Sequence, residues 1–416
     1  DEQDTVPTER SYMHSTYCDE IYHARTAYEH IRGIYPYEIT HPPLGKLILG
    51  LGIRLFGMTP FGWRFMGTLF GVLMLPLLYC FLKNLFGKTA VSVCGTLLFA
   101  FDFMHLTQTR ISTIDTYAVF FILLMYWFFY RYLSLPDDAT VLQSLPSLFL
   151  SGLFFGIGAA CKWTVLYGGA GLAVLWFINA VRRGRFFIGR GEGARFGGWL
   201  TGTILFSVLF FVAIPGVIYC ASYLPYAAAK GEPLTFKLIW DNQVYMFNYH
   251  RGVTQSHPYA SKWWMWIFDI RPILYYLETG MGNGLKCAFG AFGNPVLYWG
   301  GLLALFALVW RFIRVRSGTA LFIVIGYLAQ LVPWIPISRP TFAYHYFPAS
   351  LFLVLAVSYV MNDLIERKAE GARAAVYGFT AGCGVLYAAF YPVLVGITVP
   401  IWYTTNFLQW FPTWPF

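Results

Sequence analysis

The chain has 416 residues, of which 57% are hydrophobic, 20% aromatic and only 12% charged. A soluble protein carries about a quarter charged residues, so a soluble globular fold is excluded, and the mean hydropathy of +0.55 puts most of the chain in lipid. The net charge of +9 does not point to nucleic acid, because the basic residues fall in short clusters between apolar runs, which is the pattern of membrane topology.

The chain starts at Asp1 with a polar stretch that lacks a signal-peptide pattern, and so reads as a processed chain or a segment of a longer one. A short helix is expected over 44–57, entered through THPPLGK (40–46). Membrane passes need ~20 mostly apolar residues, or ~17 at the short end. They are expected near 61–83, 89–107, 114–133, 198–221, 294–313, 318–337, 343–361 and 373–396. The apolar stretch 147–181 is interrupted by AACKW at 159–163. Read as two passes, it puts every basic cluster on one side: Lys83 and Lys88, Arg131, Arg182 to Arg195, Arg311 to Arg316, and Arg367 to Arg373. Read as one pass, it divides the clusters between two sides. Lys and Arg mark cytoplasmic loops, so two passes is the better reading. The fold class is therefore an all-α polytopic membrane protein with ten spans and both chain ends outside. The seven cysteines show no CxxC spacing and read as packing residues.

The outer face then collects the ionisable residues. Asp19 and Glu20 are adjacent in STYCDEIYHA, and His41 and Lys46 flank the proline pair. Arg64 opens the first pass, Arg110 and Asp115 flank the start of another, and Lys162 sits at the turn. Arg339, His345 and Tyr346 lie in SRPTFAYHYFP. Charge at the membrane boundary is costly and points to function by default. Each residue also has a plainer reading: Arg64 and Lys46 as snorkelling anchors, Arg110 with Asp115 as a local helix pair, His345 as a packed histidine. The coincidence on one side favours a site. The prolines of HPPLG withhold N–H groups and stiffen the backbone, so the stretch reads as a phosphate or sugar cradle at a helix start. A simple proline-led loop-to-helix turn is the alternative.

One acid among several cations at a membrane surface suits transfer of a sugar from a lipid phosphate. The departing phosphate gains negative charge that Arg, Lys and His stabilise, and the acceptor hydroxyl needs a carboxylate base. A single base in a single displacement implies inversion at the anomeric carbon; retention asks for a second, nucleophilic carboxylate. Two other readings stand beside this one. The same chemistry serves a lipid or cell-wall glycan acceptor, and a non-catalytic transporter or scaffold needs no base at all, although repeated halves with broken helices are not evident.

The stretches YCDEIYHARTA (17–27), THPPLGKLI (40–48), FGWRF (61–65), QTRISTIDTYAVFF (108–121), GIGAACKWTVLY (156–167), YHRGVTQSHPYASKWWMW (249–266), GNPVLYWGG (293–301) and SRPTFAYHYFPA (338–349) run in the order of a known family. The chain resembles the protein O-mannosyltransferases, glycosyltransferase family 39, most closely the bacterial branch. That resemblance implies a GT-C-type transmembrane bundle with extracytoplasmic loops, in the plasma membrane of a bacterial cell with the site on the extracytoplasmic face. It implies a polyprenyl-phosphate-mannose donor and a Ser or Thr acceptor on an exported protein. Asp19 would be the base with Glu20 supporting it, and His41, Lys46, Arg64, Arg110, Asp115, Lys162, Arg339, His345 and Tyr346 would face the donor. Apart from the resemblance, His250, His257, Trp263, Trp264 and Trp266 of the 222–293 loop are candidates to line an acceptor groove, and an interfacial aromatic belt is an equal reading of the tryptophans. No cofactor is implied; if a cation bound, Asp19, Glu20 and His41 would hold it. The domain organisation is then 1–60 as catalytic loop and interfacial helix, 61–221 as six spans, 222–293 as an aromatic-rich outer loop and 294–416 as four spans. The family usually has a membrane helix before the Asp-Glu loop, and eukaryotic members carry a β-trefoil where 222–293 is too short for one.

Overall fold

A computed structural model of the chain describes residues 13–279, 281–282 and 284–416; residues 1–12 of the expected 1–60 segment lie outside the described residues. Helix α1 (Glu20–Arg32) is closed by Gly33 at φ 68, the left-handed conformation that glycine adopts without a steric penalty. Helix α2 (Leu44–Phe56) begins directly after Pro43, whose φ of −72 is already helical. Gly45 lets α2 approach closely: a Cβ there would stand 2.9 Å from Ile114 and 3.4 Å from the Cys161 carbonyl.

The spans follow. Helix α3 (Pro60–Phe86) starts at Thr59, whose side chain accepts from the Gly62 N–H. The expected single pass at 89–107 is instead a broken pair, α4 (Thr89–Ala100) and α5 (Phe103–Arg110), bent by 58°. Asp102 explains the break, because its carboxylate caps the Met104 N–H and starts a new helix. Next come α6 (Asp115–Leu133), α7 (Val141–Cys161) and α8 (Val165–Ile188). The chain breaks between α7 and α8 at Lys162, which is extended at φ −158 and ψ 135, so 147–181 does hold two passes. Helix α9 (Gly193–Val208) continues through a π turn at Leu209–Ala213 into α10 (Ile214–Ser222).

The stretch 222–293 is more ordered than a loop. It contains α11 (Leu224–Lys230), α12 (Phe236–Gly252), α13 (Trp263–Ile267) and an antiparallel hairpin, β1 (Ile273–Glu278) with β2 (Leu285–Ala291). Then come α14 (Pro295–Val315), α15 (Gly318–Leu331), α16 (Phe347–Glu366) and α17 (Ala372–Val395), and β3 (Val399–Pro400) adds a third strand beside β2. Among the described residues, eight helices are long and apolar enough to cross a membrane; the bent pair and the shorter Gly318–Trp334 helix occupy the other two expected passes.

Helices α6 and α16 are central, with 72% and 78% of their apolar windows buried, whereas only 11% is buried in the Gly193–Lys230 window, which faces outward. Following the chain through these passes brings the basic clusters to one end of the bundle, where Lys88 pairs with Glu366 at 2.6 Å and Arg311 with Asp363 at 2.8 Å. The start of α1, the α5–α6 turn, the α7–α8 break, the stretch 222–293 and the stretch before α16 share the opposite end. All seven cysteines are free.

Candidate active site

The site is built around a sharp turn before α1. Cys18 has φ 51, a left-handed conformation uncommon for a residue with a side chain. Beyond this turn Asp19 and Glu20 part. Glu20 is fully buried and held by Arg64, whose Nε donates to Oε1 and Nη2 to Oε2, both at 2.8 Å. The backbone N–H groups of Ser112 and Tyr17 donate to the same carboxylate at 2.9 and 3.2 Å. Arg64 also donates to the carbonyls of Met13 and Ser15. Glu20 is therefore the bolt that fixes the loop to α3 and to the α5–α6 turn. Asp19, half-buried, lines the cavity instead, and its side chain does not cap α1. Its Oδ2 stands 3.5 Å from the Tyr344 hydroxyl.

The proline stretch is braced from within. Lys46, 1% exposed, turns back from α2 and donates to Glu38 Oε2 at 2.5 Å and to the carbonyls of Glu38 and His41 at 2.9 and 3.1 Å. Burial alone would push the Glu38 carboxyl up, but Lys46 and then His41 hold it well below the usual carboxylate range. Lys46 thus shapes the turn and does not reach the cavity, while His41 and Glu38 do.

The cations on the opposite wall come from the α7–α8 break and the stretch before α16. Lys162 is buried and donates to Asp115 Oδ1 at 2.7 Å, lying 5.8 Å from the centre of the Tyr344 ring. The local Arg110–Asp115 pair expected from spacing does not form. Asp115 goes to Lys162 because α6 and α7 pack along each other and bring residue 162 over the first turn of α6. Arg110 packs over the Phe289 ring at 4.8 Å and donates to the Leu394 carbonyl. Arg339 lines the cavity, its guanidinium donating to the Pro340 carbonyl at 3.4 Å. Among the described residues no carboxylate pairs with it. His345 lines the cavity, stacked between Tyr344 and Trp266. Tyr346 is buried and exchanges a hydrogen bond with Tyr327 at 2.6 Å, and Trp263 packs against the main core, away from the cavity.

The cavity has a volume of about 1060 Å³. Of the residues singled out in the sequence, it brings together Asp19, His41, Lys162, Arg339, His345, His250 and His257. Asp115 stands behind Lys162 as its charge partner, Glu20 and Arg64 pair with each other and Lys46 with Glu38, and Arg110, Tyr346 and Trp263 lie elsewhere. His250 donates from Nε2 to the Thr40 carbonyl at 2.8 Å, and burial, reinforced by His41 and Arg339, lowers its pKa to about 4. It is therefore neutral at pH 7. Among the described residues the arrangement offers one carboxylate without an ion-pair partner, a fixed lysine, an arginine without a carboxylate and the neutral imidazole of His250: a base for one hydroxyl and cations for one departing anion.

Two family descriptions divide this architecture between them. The C-terminal four-transmembrane region of protein-O-mannosyltransferase matches residues 235–414, and dolichyl-phosphate-mannose-protein mannosyltransferase matches residues 40–213. The chain belongs to the protein O-mannosyltransferase family.

Among its relatives, the polyprenol-phosphate-mannose–protein mannosyltransferase of Mycobacterium tuberculosis is 26% identical over 434 aligned positions, covering 90% of this chain and 81% of the relative. The enzyme of the same name from Corynebacterium glutamicum is 25% identical, with the same coverage. In fold, the chain is similar to a chain of the Saccharomyces cerevisiae Pmt1–Pmt2 complex bound to the sugar donor, with a TM-score of 0.83 at 14% identity over 97% of this chain and 90% of that one. ArnT from Cupriavidus metallidurans is more distant, with a TM-score of 0.57 at 16% identity over 91% and 61%.

Within this O-mannosyltransferase, several cavity-lining residues were not singled out from the sequence, among them His23, Glu38, Arg251 and Tyr344. A signal existed for the first two. His23 follows Asp19 by four positions, one helical turn along the same face, and Glu38 lies in the YEITHPPLGK stretch read only for its cations. Asp19, Glu20 and His41, named above as the set that would hold a cation if one bound, do not converge, since Glu20 faces Arg64; the residues that converge are His23, Glu38 and His41.

Proposed function

We propose that this chain transfers mannose from a polyprenyl-phosphate donor to Ser or Thr hydroxyls of exported proteins, with inversion at the anomeric carbon. The observation that carries the reading is Asp19. Its carboxylate lines the cavity and, among the described residues, has no ion-pair partner, while the adjacent Glu20 is bound on both oxygens by Arg64. A lone available carboxylate suits a single displacement. The acceptor oxygen attacks the anomeric carbon, its proton passes to Asp19, and the bond from that carbon to the phosphate oxygen breaks, so the polyprenyl phosphate leaves with the electron pair. Lys162 and Arg339 lie on the wall where that charge would build. Asp115 holds Lys162 in position and Glu20 holds the Asp19 loop. The bacterial relatives act, by name, with polyprenol-phosphate-mannose on protein.

The site lies at the extracytoplasmic face of the bacterial plasma membrane in this reading. Its support is the gathering of the basic clusters at the other end of the bundle. The test is incubation of the purified protein with labelled polyprenyl-phosphate-mannose and exported proteins. Label on Ser or Thr of a protein, in the α configuration from a β-linked donor, is the expected result. Label confined to lipid or glycan would overturn the acceptor, and no transfer at all would overturn the reading.

A further inference from the structure

The same cavity carries a cluster to which the transfer step above gives no role. His23, Glu38 and His41 each offer a ligand atom, and these atoms all lie within 4.8 Å of one another. The three come from two local structures: His23 from α1, Glu38 and His41 from the YEITHPPLGK stretch. Two fixed features prepare them. The Nδ1 of His23 lies 3.4 Å from the Ser112 carbonyl oxygen. An oxygen there can be served only by an N–H, which leaves the lone pair on Nε2. A ring N–H held by a backbone carbonyl is the outer-shell arrangement that orients metal-binding histidines. Glu38 is held by the Thr40 N–H at 2.7 Å and by Lys46 at 2.5 Å, so its carboxylate does not swing.

The third residue shows what the cluster lacks. His41 Nδ1 stands 3.1 Å from Glu38 Oε1, an imidazole and a carboxylate sharing one proton. Beside it, at 5.1 Å between ring centres, lies His250, whose Nε2 is spent on the Thr40 carbonyl and whose buried Nδ1 has no hydrogen-bond partner among the described residues. Three imidazoles and one carboxylate thus line one corner, with the Thr40 hydroxyl hydrogen-bonded to Glu38 Oε1 and 3.2 Å from His41 Nδ1.

We propose that His23, Glu38 and His41 form a binding site for a divalent transition-metal ion of the zinc class. The ion takes the place of the proton between Oε1 and Nδ1, and that proton moves to Nε2 of the same ring. Two imidazoles with one carboxylate select zinc-like ions over magnesium or calcium, which prefer all-oxygen shells. Ligand atoms around a tetrahedral zinc ion with bonds of about 2.0–2.1 Å lie roughly 3.4 Å apart. Closing the cluster therefore needs movements of about 1 Å, and His41, with 19% of its side chain exposed, has room to make them. Lys46 opposes the ion by neutralising Glu38. Asp19 on the same cavity supplies compensating charge, and so would the donor phosphate; that last clause rests on the proposed function, whereas the occupancy of the site does not.

Metal content is measured on the full chain in detergent. The protein is stripped with chelator, reloaded with Zn2+, passed through gel filtration and analysed for metal, and a parallel sample is titrated with Co2+ as an optical probe. The expected result is about one equivalent of zinc per chain and Co2+ bands of nitrogen–oxygen ligation. His23→Ala and His41→Asn should each weaken Co2+ binding at least tenfold. If His23→Ala fails to fold, His41→Asn at the partly exposed position decides together with the wild-type stoichiometry. Less than a tenth of an equivalent in the wild type, unchanged affinity in His41→Asn, or a thiolate charge-transfer band that assigns the ion to cysteine would overturn the proposal. A wild type that transfers mannose without holding metal would sink this site and leave the transferase reading intact.

Discussion

Arg64 binds both oxygens of Glu20, at 2.8 Å each, across 44 positions of sequence. This fork joins the first membrane helix to the loop that carries Asp19, and it is geometrically bidentate, so lysine cannot replace it. With Glu20 fully buried, removal of either partner strands a charge, at about 3–5 kcal/mol. Arg64→Lys and Glu20→Gln should each lower the thermal midpoint and cut transfer at least tenfold by loosening the Asp19 turn. In a cycle of Glu20→Gln, Arg64→Gln and their double, the double should lose less stability than the sum of those two singles. Strict additivity in that cycle, read by thermal unfolding in detergent, would show that the two residues are not coupled.

Asp19→Asn tests the other member of the acidic pair and should behave in the opposite way. Among the described residues its carboxylate has only the long contact to Tyr344, so the fold has little to lose, within about 0.5 kcal/mol. Transfer should fall by roughly 10²–10⁴-fold, the range for loss of a general base. An unchanged melting curve with abolished transfer is the expected pair of results. A variant with wild-type turnover would remove Asp19 from the reaction.

The contrast between these neighbours explains what the sequence made legible. The passes were readable because each is a local run of apolar residues, and the break at Lys162 was readable because charge asymmetry constrains the whole topology. The cations of the outer face were readable as a set, since their cost in lipid marks them. Their partners were not. Glu38 with Lys46, Arg64 with Glu20, and Lys162 with Asp115 pair across 8, 44 and 47 positions, and only helix packing decides such pairs. The nearest acid in sequence was a poor guide: Arg110 lies one turn and a half from Asp115, yet the α6–α7 contact delivers Lys162. Within 222–293, short helices and a hairpin left too weak a period to stand out from aromatic-rich polar sequence. The bend at Asp102 was hidden inside an apolar run by a single capping residue.

His30 makes part of the fold acid-sensitive. It is buried on α1, and burial, followed by Lys46, lowers its pKa to about 4 against the opposing pull of Glu38. The folded protein therefore holds it neutral where the unfolded chain, near 6.5, takes up a proton. Between pH 6.5 and 4 the unfolded state binds more protons, so stability falls as the pH drops, by up to about 3 kcal/mol for this group, and levels off below pH 4. The thermal midpoint of His30→Gln should decline less steeply than wild type across that window. Parallel curves for the two proteins would show that His30 does not contribute to the acid loss.

Asp115 and Lys162 allow the position of a charge to be separated from its presence. Both are buried, and their 2.7 Å bond holds the ammonium at the α7–α8 break facing the cavity. Asp115→Asn keeps the lysine but leaves it without its counter-charge, so the ammonium is both costly to bury and free to turn; stability should drop by roughly 3–5 kcal/mol. Lys162→Met removes the charge altogether, and the alkyl chain still fills the space; Asp115 then sits at a helix N-terminus, where a carboxylate is tolerated. If Lys162 stabilises the departing phosphate, Lys162→Met should reduce kcat with the donor far more than it reduces the melting temperature, whereas Asp115→Asn should damage both together. Equal losses of stability and turnover in Lys162→Met would mean that the lysine serves only to neutralise Asp115, and Arg339 would then be left as the cation that meets the leaving group.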